Sequence, residues 1–401
     1  IIMLLIALGR SEAFELLGDN ASWLADAEVA RLYGYTEAEL QSMIDRLPVV
    51  YGQHGRDLVD LLGQMVQGLN AAVGDVASGR LPLPAGFADL GVPLPAPFRP
   101  TDVVAIVSII RALFGAGGGN EMSNASRWLS LLDQHGPDGA RAIWDDFRNR
   151  TQNDGVVHAT GSFPYNARNP ALIDPDANVF GFGAGDSGPQ SLFDEVAALF
   201  PGGSAQASTQ AADLAEQSRI KWENLVLDTP AGRVDLSSPG HMSNYLAVDG
   251  RLSATGRPIL MGGPQAGYFD PQILVENELH GDRIHARGAT FPGMGLVVIG
   301  RNAEAAWTPT AGGSDMIDMY VEVLCEPDGS APTEKSTYYR FKGECREMDR
   351  RVLRTVTDDA PADLPGRDAL PDIVVERTVH GTVVDRGRVG YLAAAGSRYP
   401  S

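Results

Sequence analysis

The sequence predicts an α+β protein, with helices first and antiparallel strands after them. Two observations carry this. Residues 1–150 place apolar side chains at helical spacing, whereas residues 243–401 hold short apolar or alternating runs bounded by Gly, Asp and Pro. Between them, residues 151–240 change character and are punctuated by Gly, Pro, Asn and Ser. Helices in one half and strands in the other suggest helices layered on an antiparallel sheet. The expected organisation is a helical region over 1–165, the end of that region plus a spacer over 166–242, and a sheet-rich region over 243–401.

The helical half reads as follows. Ile2 to Leu17 carries a helical apolar stripe ending near Gly18. Thr36 followed by Glu39 is a capping pair that opens the next helix. Asp57 to Val73 repeats apolar residues at Leu58, Leu61, Leu62, Met65, Val66 and Leu69, which makes one face of a helix. The Pro-rich stretch 81–100 is a loop. Thr101 is expected to cap a helix over Asp102–Phe114, and Gly115 to Gly119 breaks it. Asn120–Asp133 and Gly139–Asn149 read as further helices. Ser191–Phe200 and Ala205–Asn224 are helical patches within the spacer region, and Leu225–Asp228 is strand-like.

In the second half the expected strands are Tyr245–Val248, Pro258–Met261, Gly295–Ile299, Met319–Leu324, Ser336–Phe341, Arg351–Thr357, Ile373–Thr378 and Arg388–Leu392. Cys325 and Cys345 are the two cysteines of the chain and flank a polar turn region between apolar runs. They read either as a disulfide across a hairpin or as two free thiols. No CxxC or Cys/His cluster is present, so a zinc site is not expected.

Composition narrows the partners. With 401 residues, 44% of them hydrophobic, the chain buries a sizeable core. A formal net charge of −19 argues against nucleic acid and anionic membrane surfaces as partners. The opening run Ile1 to Leu8 is too short to span a bilayer and lacks the basic start and cleavage site of a signal peptide. It reads as the inside of a helix, and the chain is expected to continue beyond both of its ends.

The residue with the most chemistry in prospect is Ser243. It follows a loose Gly/Pro/Ser run and opens an apolar strand. It reads either as an ordinary Ser-Asn turn or, were the chain cut before it, as a hydroxyl nucleophile carrying its own α-amine base. Four ordered blocks run from it along the chain. They are Ser243-Asn244, then Gly262-Gly263-Pro264-Gln265, then Gly288-Ala289-Thr290-Phe291-Pro292-Gly293 followed by Thr310-Ala311-Gly312-Gly313-Ser314-Asp315. Earlier lie Gly119-Asn120-Glu121-Met122-Ser123-Asn124 and Ala7-Leu8-Gly9-Arg10; later lies Arg377-Thr378-Val379-His380-Gly381-Thr382. Together these resemble the penicillin acylase (penicillin amidase) family of N-terminal-nucleophile hydrolases, over most of the chain.

The resemblance implies an αββα sandwich with an N-terminal helical part. It also implies autoproteolysis before Ser243, giving α and β chains held as a heterodimer, and hydrolysis of an N-acyl amide through a serine acyl-enzyme. An acyl-homoserine lactone acylase and an unprocessed, non-catalytic relic are the alternatives. By resemblance Ser243 is nucleophile and base, and the backbone N–H of Ala311 is one oxyanion donor. A second donor, an Asn side chain, is expected beyond Ser401. Gln265, Ala266, Ile299, Phe114 and Thr310 would line the substrate site. Ala266 and Ile299 stand where phenylacetyl-preferring members carry Phe, which implies a pocket for aliphatic or bulky acyl groups. Glu121, Asp315, Asp318 and the carbonyl of Ile317 match a structural calcium site, and no organic cofactor is expected. The family implies a periplasmic or secreted protein. His280, His285 and His380 read as structural, and Gly-x-Ser-x-Gly is absent.

Overall fold

The computed structural model describes residues 1–84, 86–87, 93–95, 97–147, 222–229, 232–235, 242–265, 272–281, 284–310, 314–353, 366, 368–389 and 392–400. Residues 151–221, with the patch Ser191–Phe200 and most of Ala205–Asn224, and Ala266 and Ala311 lie outside these residues; the end of the second patch, Trp222–Leu225, is a short 3-10 helix. The described residues fall into two compact units. One holds those of 1–117, 220–314 and 352–374; the other holds those of 118–219, 315–351 and 375–401.

The first unit begins with α1 (Ile2–Arg10), α2 (Ala13–Leu17), α3 (Asn20–Leu32), α4 (Glu37–Tyr51), α5 (Gln53–Ala77) and α6 (Pro100–Phe114). The expected single helix over Ile2–Leu17 is in fact two. Ser11 takes a left-handed conformation (φ 59°) and ends α1, its N–H donating back to the carbonyl of Leu8. Thr36 caps α4 as the sequence predicts, with Glu39 returning the bond to the Thr36 N–H at 2.7 Å. Thr101 does not cap α6. Arg99 and Asp102 form that cap, and the Thr101 hydroxyl instead donates to Glu37 (2.7 Å).

Leu5, Leu8, Val29, Ile106 and Ile109 form the centre of the core, joined by Leu225, Leu227 and Phe291 from the later chain. Each such side chain contributes about 1.5–3 kcal/mol on burial. Gly9 lets α1 approach α6 closely, because a methyl there would stand 2.4 Å from the Ala105 carbonyl oxygen. Beside this core lies a polar lock. The Arg10 guanidinium donates to Asp102 (2.8 Å), Thr101 (2.9 Å) and Glu37 (2.8 Å), tying α1, α4 and α6 together. Asp26 is fully buried and accepts the N–H groups of Ala13 (2.6 Å) and Phe14 (2.8 Å), which start α2. Burial pushes its carboxyl well up, against the pull of those two donors. Burial also lifts Glu12 to about 7.

After β1 (Ala116–Gly118), the strands of this unit form three small sheets. They are β2 (Val226–Thr229) with β3 (Gly232–Asp235), β4 (Met242–Val248) with β5 (Ile259–Gln265), and β6 (Val275–His280), β7 (His285–Thr290), β8 (Ile299–Arg301) and β9 (Ala306–Trp307) in that order. The run expected as a strand over Gly295–Ile299 is mostly loop, because Gly293 and Gly295 sit at φ 88° and 68°.

The second unit holds α7 (Glu121–Phe147), interrupted at Gly136 (φ 65°) and Pro137, so that it is two helices as expected. Most of an eight-stranded sheet belongs here. Seven of its strands, β10 (Ser314–Cys325), β11 (Tyr338–Phe341), β12 (Glu344–Glu347), β13 (Asp349–Leu353), β14 (Ile373–Thr378), β15 (Gly381–Val389) and β16 (Leu392–Pro400), run in the order β12-β11-β10-β16-β15-β14-β13, and the eighth, β1, pairs β10. The expected strand Arg388–Leu392 instead takes in the end of β15 and the first residue of β16, and 390–391 lie outside the described residues. Cys325 and Cys345 are joined in a disulfide that links β10 to β12. Closing a loop of that length stabilises by about 3 kcal/mol. His380 is buried, stacks on Tyr320 (4.2 Å between ring centroids) and bonds Glu322 through Nδ1 at 2.7 Å. That agrees with a structural role.

Candidate functional site

Ser243 is the second residue of β4, and its partner across the ribbon is Pro264 of β5. Asn244 faces Gly263, Tyr245 faces Gly262 and Met242 faces Gln265. The first two blocks of the sequence pattern are therefore in direct register, Ser-Asn against Gly-Pro. The pairing continues unbroken to Val248 and Ile259. The turn that closes the ribbon is built locally. Asp249 accepts the Arg251 N–H (2.9 Å) to start a short 3-10 turn over Gly250–Leu252, and Gly256 supplies the positive φ of 70° that reverses the chain.

Because side chains alternate along a strand, the ribbon has two distinct faces. Ser243, Tyr245 and Ala247 share one with Leu260, Gly262 and Pro264. Asn244 and Leu246 share the other with Met261 and Gly263. Ser243 is half-buried, while Asn244, Tyr245 and Leu246 are exposed. A serine there is partly open to solvent, on a backbone that the ribbon holds.

The other expected substrate-site residues are distributed as follows. Phe114 ends α6 and packs against Phe291, just after β7, with ring centroids 5.6 Å apart. Phe291 is buried, and the sequence did not single it out as a wall. Ile299 opens β8 opposite Ala289 and is half-buried. Thr310 is exposed in the extended segment after β9, whose Trp307 donates its indole N–H to the Val297 carbonyl (3.0 Å). Gln265 ends β5, and Ala266 and Ala311 lie outside the described residues.

In the second unit, Glu121 opens α7 and one of its carboxylate oxygens accepts the Met319 N–H at 3.0 Å. The Gly119 N–H donates to the Ile317 carbonyl (2.5 Å). Glu121 and Gly119 thus meet the stretch 317–319, where Asp318 is exposed on β10. Carboxylate and carbonyl oxygens of this kind fit calcium, a hard cation with a flexible coordination shell. The side chain of Asp315 is outside the described residues. Among the described residues, no group of three His, Cys, Asp or Glu side chains is gathered to hold a metal.

The family model for penicillin amidase matches residues 4–399. The penicillin G acylase of Escherichia coli is 28% identical over 159 residues, 39% of this chain and 17% of that protein. Penicillin acylase 2 proenzyme of a Pseudomonas species is 31% identical over 107 residues, 26% of this chain and 14% of that protein. Acyl-homoserine lactone acylase PvdQ of Pseudomonas putida is 28% identical over 128 residues, 30% of this chain and 15% of that protein. Among solved structures, a thermostable penicillin G acylase from Alcaligenes faecalis aligns with a TM-score of 0.31 and 28% identity, over 40% of this chain and 26% of that one. The matched stretch is therefore less than a fifth of the length of each of these curated relatives.

Proposed function

The chain belongs to the penicillin amidase family, and on that premise we propose that it is the precursor of an N-acyl amide hydrolase whose nucleophile is Ser243. The observation that carries the reading is the register of the ribbon, Ser243 against Pro264 and Asn244 against Gly263. Two blocks 19 residues apart in sequence meet at one place, with a half-buried serine between them.

Maturation is an intramolecular acyl shift. The Ser243 hydroxyl adds to the carbonyl carbon of Met242, the C–N bond breaks, and the nitrogen stays on Ser243 as a free amine. Water then hydrolyses the resulting ester, leaving Met242 with a carboxylate and Ser243 with its hydroxyl. In turnover that amine is the base. Its ordinary pKa near ~8 leaves a useful neutral fraction at neutral pH. It accepts the hydroxyl proton, through one water, as oxygen attacks the substrate carbonyl. The proton passes to the departing amine, and a water molecule releases the acid from the acyl-enzyme. Ala311, beside two glycines, would offer its N–H to the oxyanion.

The substrate class is an amide with an aliphatic or bulky acyl group. Ala266 and Ile299 leave more room than aromatic side chains, and Phe114 with Phe291 supplies an apolar surface. A β-lactam side-chain amide is one such substrate. The similarity to an acyl-homoserine lactone acylase favours acyl-homoserine lactones as a second. Calcium belongs to the same proposal. Glu121, Asp315, Asp318 and the Ile317 carbonyl would hold it, and it would supply a structural tie between α7 and β10. The Cys325–Cys345 disulfide suits an oxidising compartment, so the periplasm or the cell exterior is the proposed location.

Intact-mass analysis tests the core of this reading. The expected result is a break before Ser243, with a free serine amine, and a single uncut chain for Ser243→Ala. A wild-type chain that stays uncut and turns over no amide overturns it. Side-by-side assay of a phenylacetyl and a medium-chain acyl anilide tests the pocket. Preference for phenylacetyl would sink that part alone.

A further inference from the structure

Thr308 lies in the extended segment after β9, and its hydroxyl oxygen is buried with no hydrogen-bond partner among the described residues. A buried hydroxyl left unpaired costs the desolvation of that group, so native structures usually satisfy it. Where Thr308 sits gives the orphan group a meaning. A methyl group on Gly262 would stand 2.5 Å from the Thr308 hydroxyl oxygen and 2.7 Å from its Cβ. Thr308 therefore covers β5 on the side where a Gly262 side chain would project. Gly262 pairs with Tyr245, two residues along from the Ser243–Pro264 pair. Equal parity places Ser243 on that same face.

Gly262 is the diagonal neighbour of Ser243 across the ribbon, a separation of about 7 Å. The Thr308 hydroxyl lies against Gly262, on the ribbon face that carries the Ser243 side chain. An amide under attack by Ser243 brings a carbonyl that accepts and an N–H that donates. A threonine hydroxyl does both. Gly262 explains itself in the same terms, since any side chain there would displace Thr308.

We propose that Thr308 is a substrate-positioning residue of the Ser243 site, its buried hydroxyl kept for a hydrogen bond to the scissile amide bound at Ser243. This rests on the reading of Ser243 as nucleophile. Thr310, which the sequence placed in the substrate site, is exposed, whereas Thr308 is covered and holds an unused hydrogen bond.

The test uses three variants of the whole protein with a medium-chain acyl anilide. Thr308→Val keeps the shape and removes the hydroxyl. It is expected to lower kcat/KM about tenfold or more, the scale of one lost hydrogen bond to a reacting group. Its thermal midpoint should stay level or rise, because an unpaired buried hydroxyl has gone. Thr308→Ser, which keeps the hydroxyl, should recover activity to within about threefold of wild type on the same scale. Ser243→Ala separates the two levels of the argument. Turnover that survives in Ser243→Ala overturns the nucleophile reading and this inference with it. Turnover that requires Ser243 but is unchanged in Thr308→Val overturns this inference alone. A marked fall in the midpoint of Thr308→Val also overturns it, since the hydroxyl would then have a structural partner.

Discussion

The first unit contains two regions built in opposite ways. Around α1, α3 and α6 the apolar side chains are sealed, with Leu8 and Ile106 at 0% exposure, and the Arg10 guanidinium is matched to three acceptors. On the β4–β5 ribbon, Tyr245 is 66% exposed, Leu246 56% and Met261 54%. A two-stranded ribbon is marginal by itself in water. The helical core supplies packing energy, while the ribbon presents a serine on a regular backbone. With Ser243 as the proposed nucleophile, the contrast implies a division of labour: the chemistry would sit where substitution costs the fold little, and the fold would depend on residues of the helical core.

The largest expected effect strikes the ribbon and leaves the core alone. Ser243→Ala should remove amide turnover by at least about a thousandfold, as loss of a nucleophile does in serine hydrolases. Its uncut chain should melt no lower than the cut wild-type protein, because the hydroxyl is only half-buried and no packing is lost. Thermal melts beside the anilide assay check both halves. A drop of several degrees would mean that the ribbon is part of the stable core.

The reverse substitution sharpens the contrast. Leu8→Ala opens a cavity between α1 and α6 and should cost about 3 kcal/mol, seen as a lower midpoint in urea with the slope unchanged. The chain that still folds should retain the Ser243-dependent rate per folded molecule.

A smaller effect comes from the polar margin of the core. Burial raises the Glu12 carboxyl to about 7, with Arg10 and Arg99 opposing and Glu15 and Asp102 adding to the rise. The folded state therefore holds a proton that the unfolded chain releases at lower pH. The stability this provides is full below the ordinary value of 4.5 and is lost as pH rises through about 7. Glu12→Gln should gain about 2 kcal/mol over wild type at pH 8 and almost nothing at pH 4, measured by urea unfolding at the two pH values. An equal gain at both would assign the effect to shape rather than charge.

The same contrast explains what the sequence disclosed. The helices were legible because their faces are sealed, and a sealed face leaves a 3.6-residue stripe. The cap at Thr36 was legible because it is local. The break at Ser11 was not, since a serine in the left-handed region is held by its surroundings rather than by its type. β6 and β7 were missed because Glu276, Asn277, Glu278 and Arg287 hide any apolar alternation; the pair stands partly on the Arg287–Glu276 contact at 2.9 Å. At the site, the ordered blocks led to Ser243 and to Gly263-Pro264 before their register was known. Phe291 and Thr308 were not legible, because their significance lies in what packs against them.

The smallest effect is the most direct test of the ribbon. Leu246 lies on the ribbon face opposite Ser243, in register with Met261, and both are more than half exposed. An exposed leucine has little apolar area to lose and opens no cavity, so Leu246→Ala should change stability by about 0.5 kcal/mol or less. The same chemical change at Leu8 costs several times more, and the ratio of the two measures how unevenly packing is distributed within one unit. Equal costs at the two positions would erase the contrast, because Leu246 would then be buried in solution and Ser243 would stand beside a second core. A near-zero cost at Leu246 with the full cost at Leu8 leaves the ribbon as a scaffold that positions Ser243 through backbone pairing, independent of the side chains on its far face.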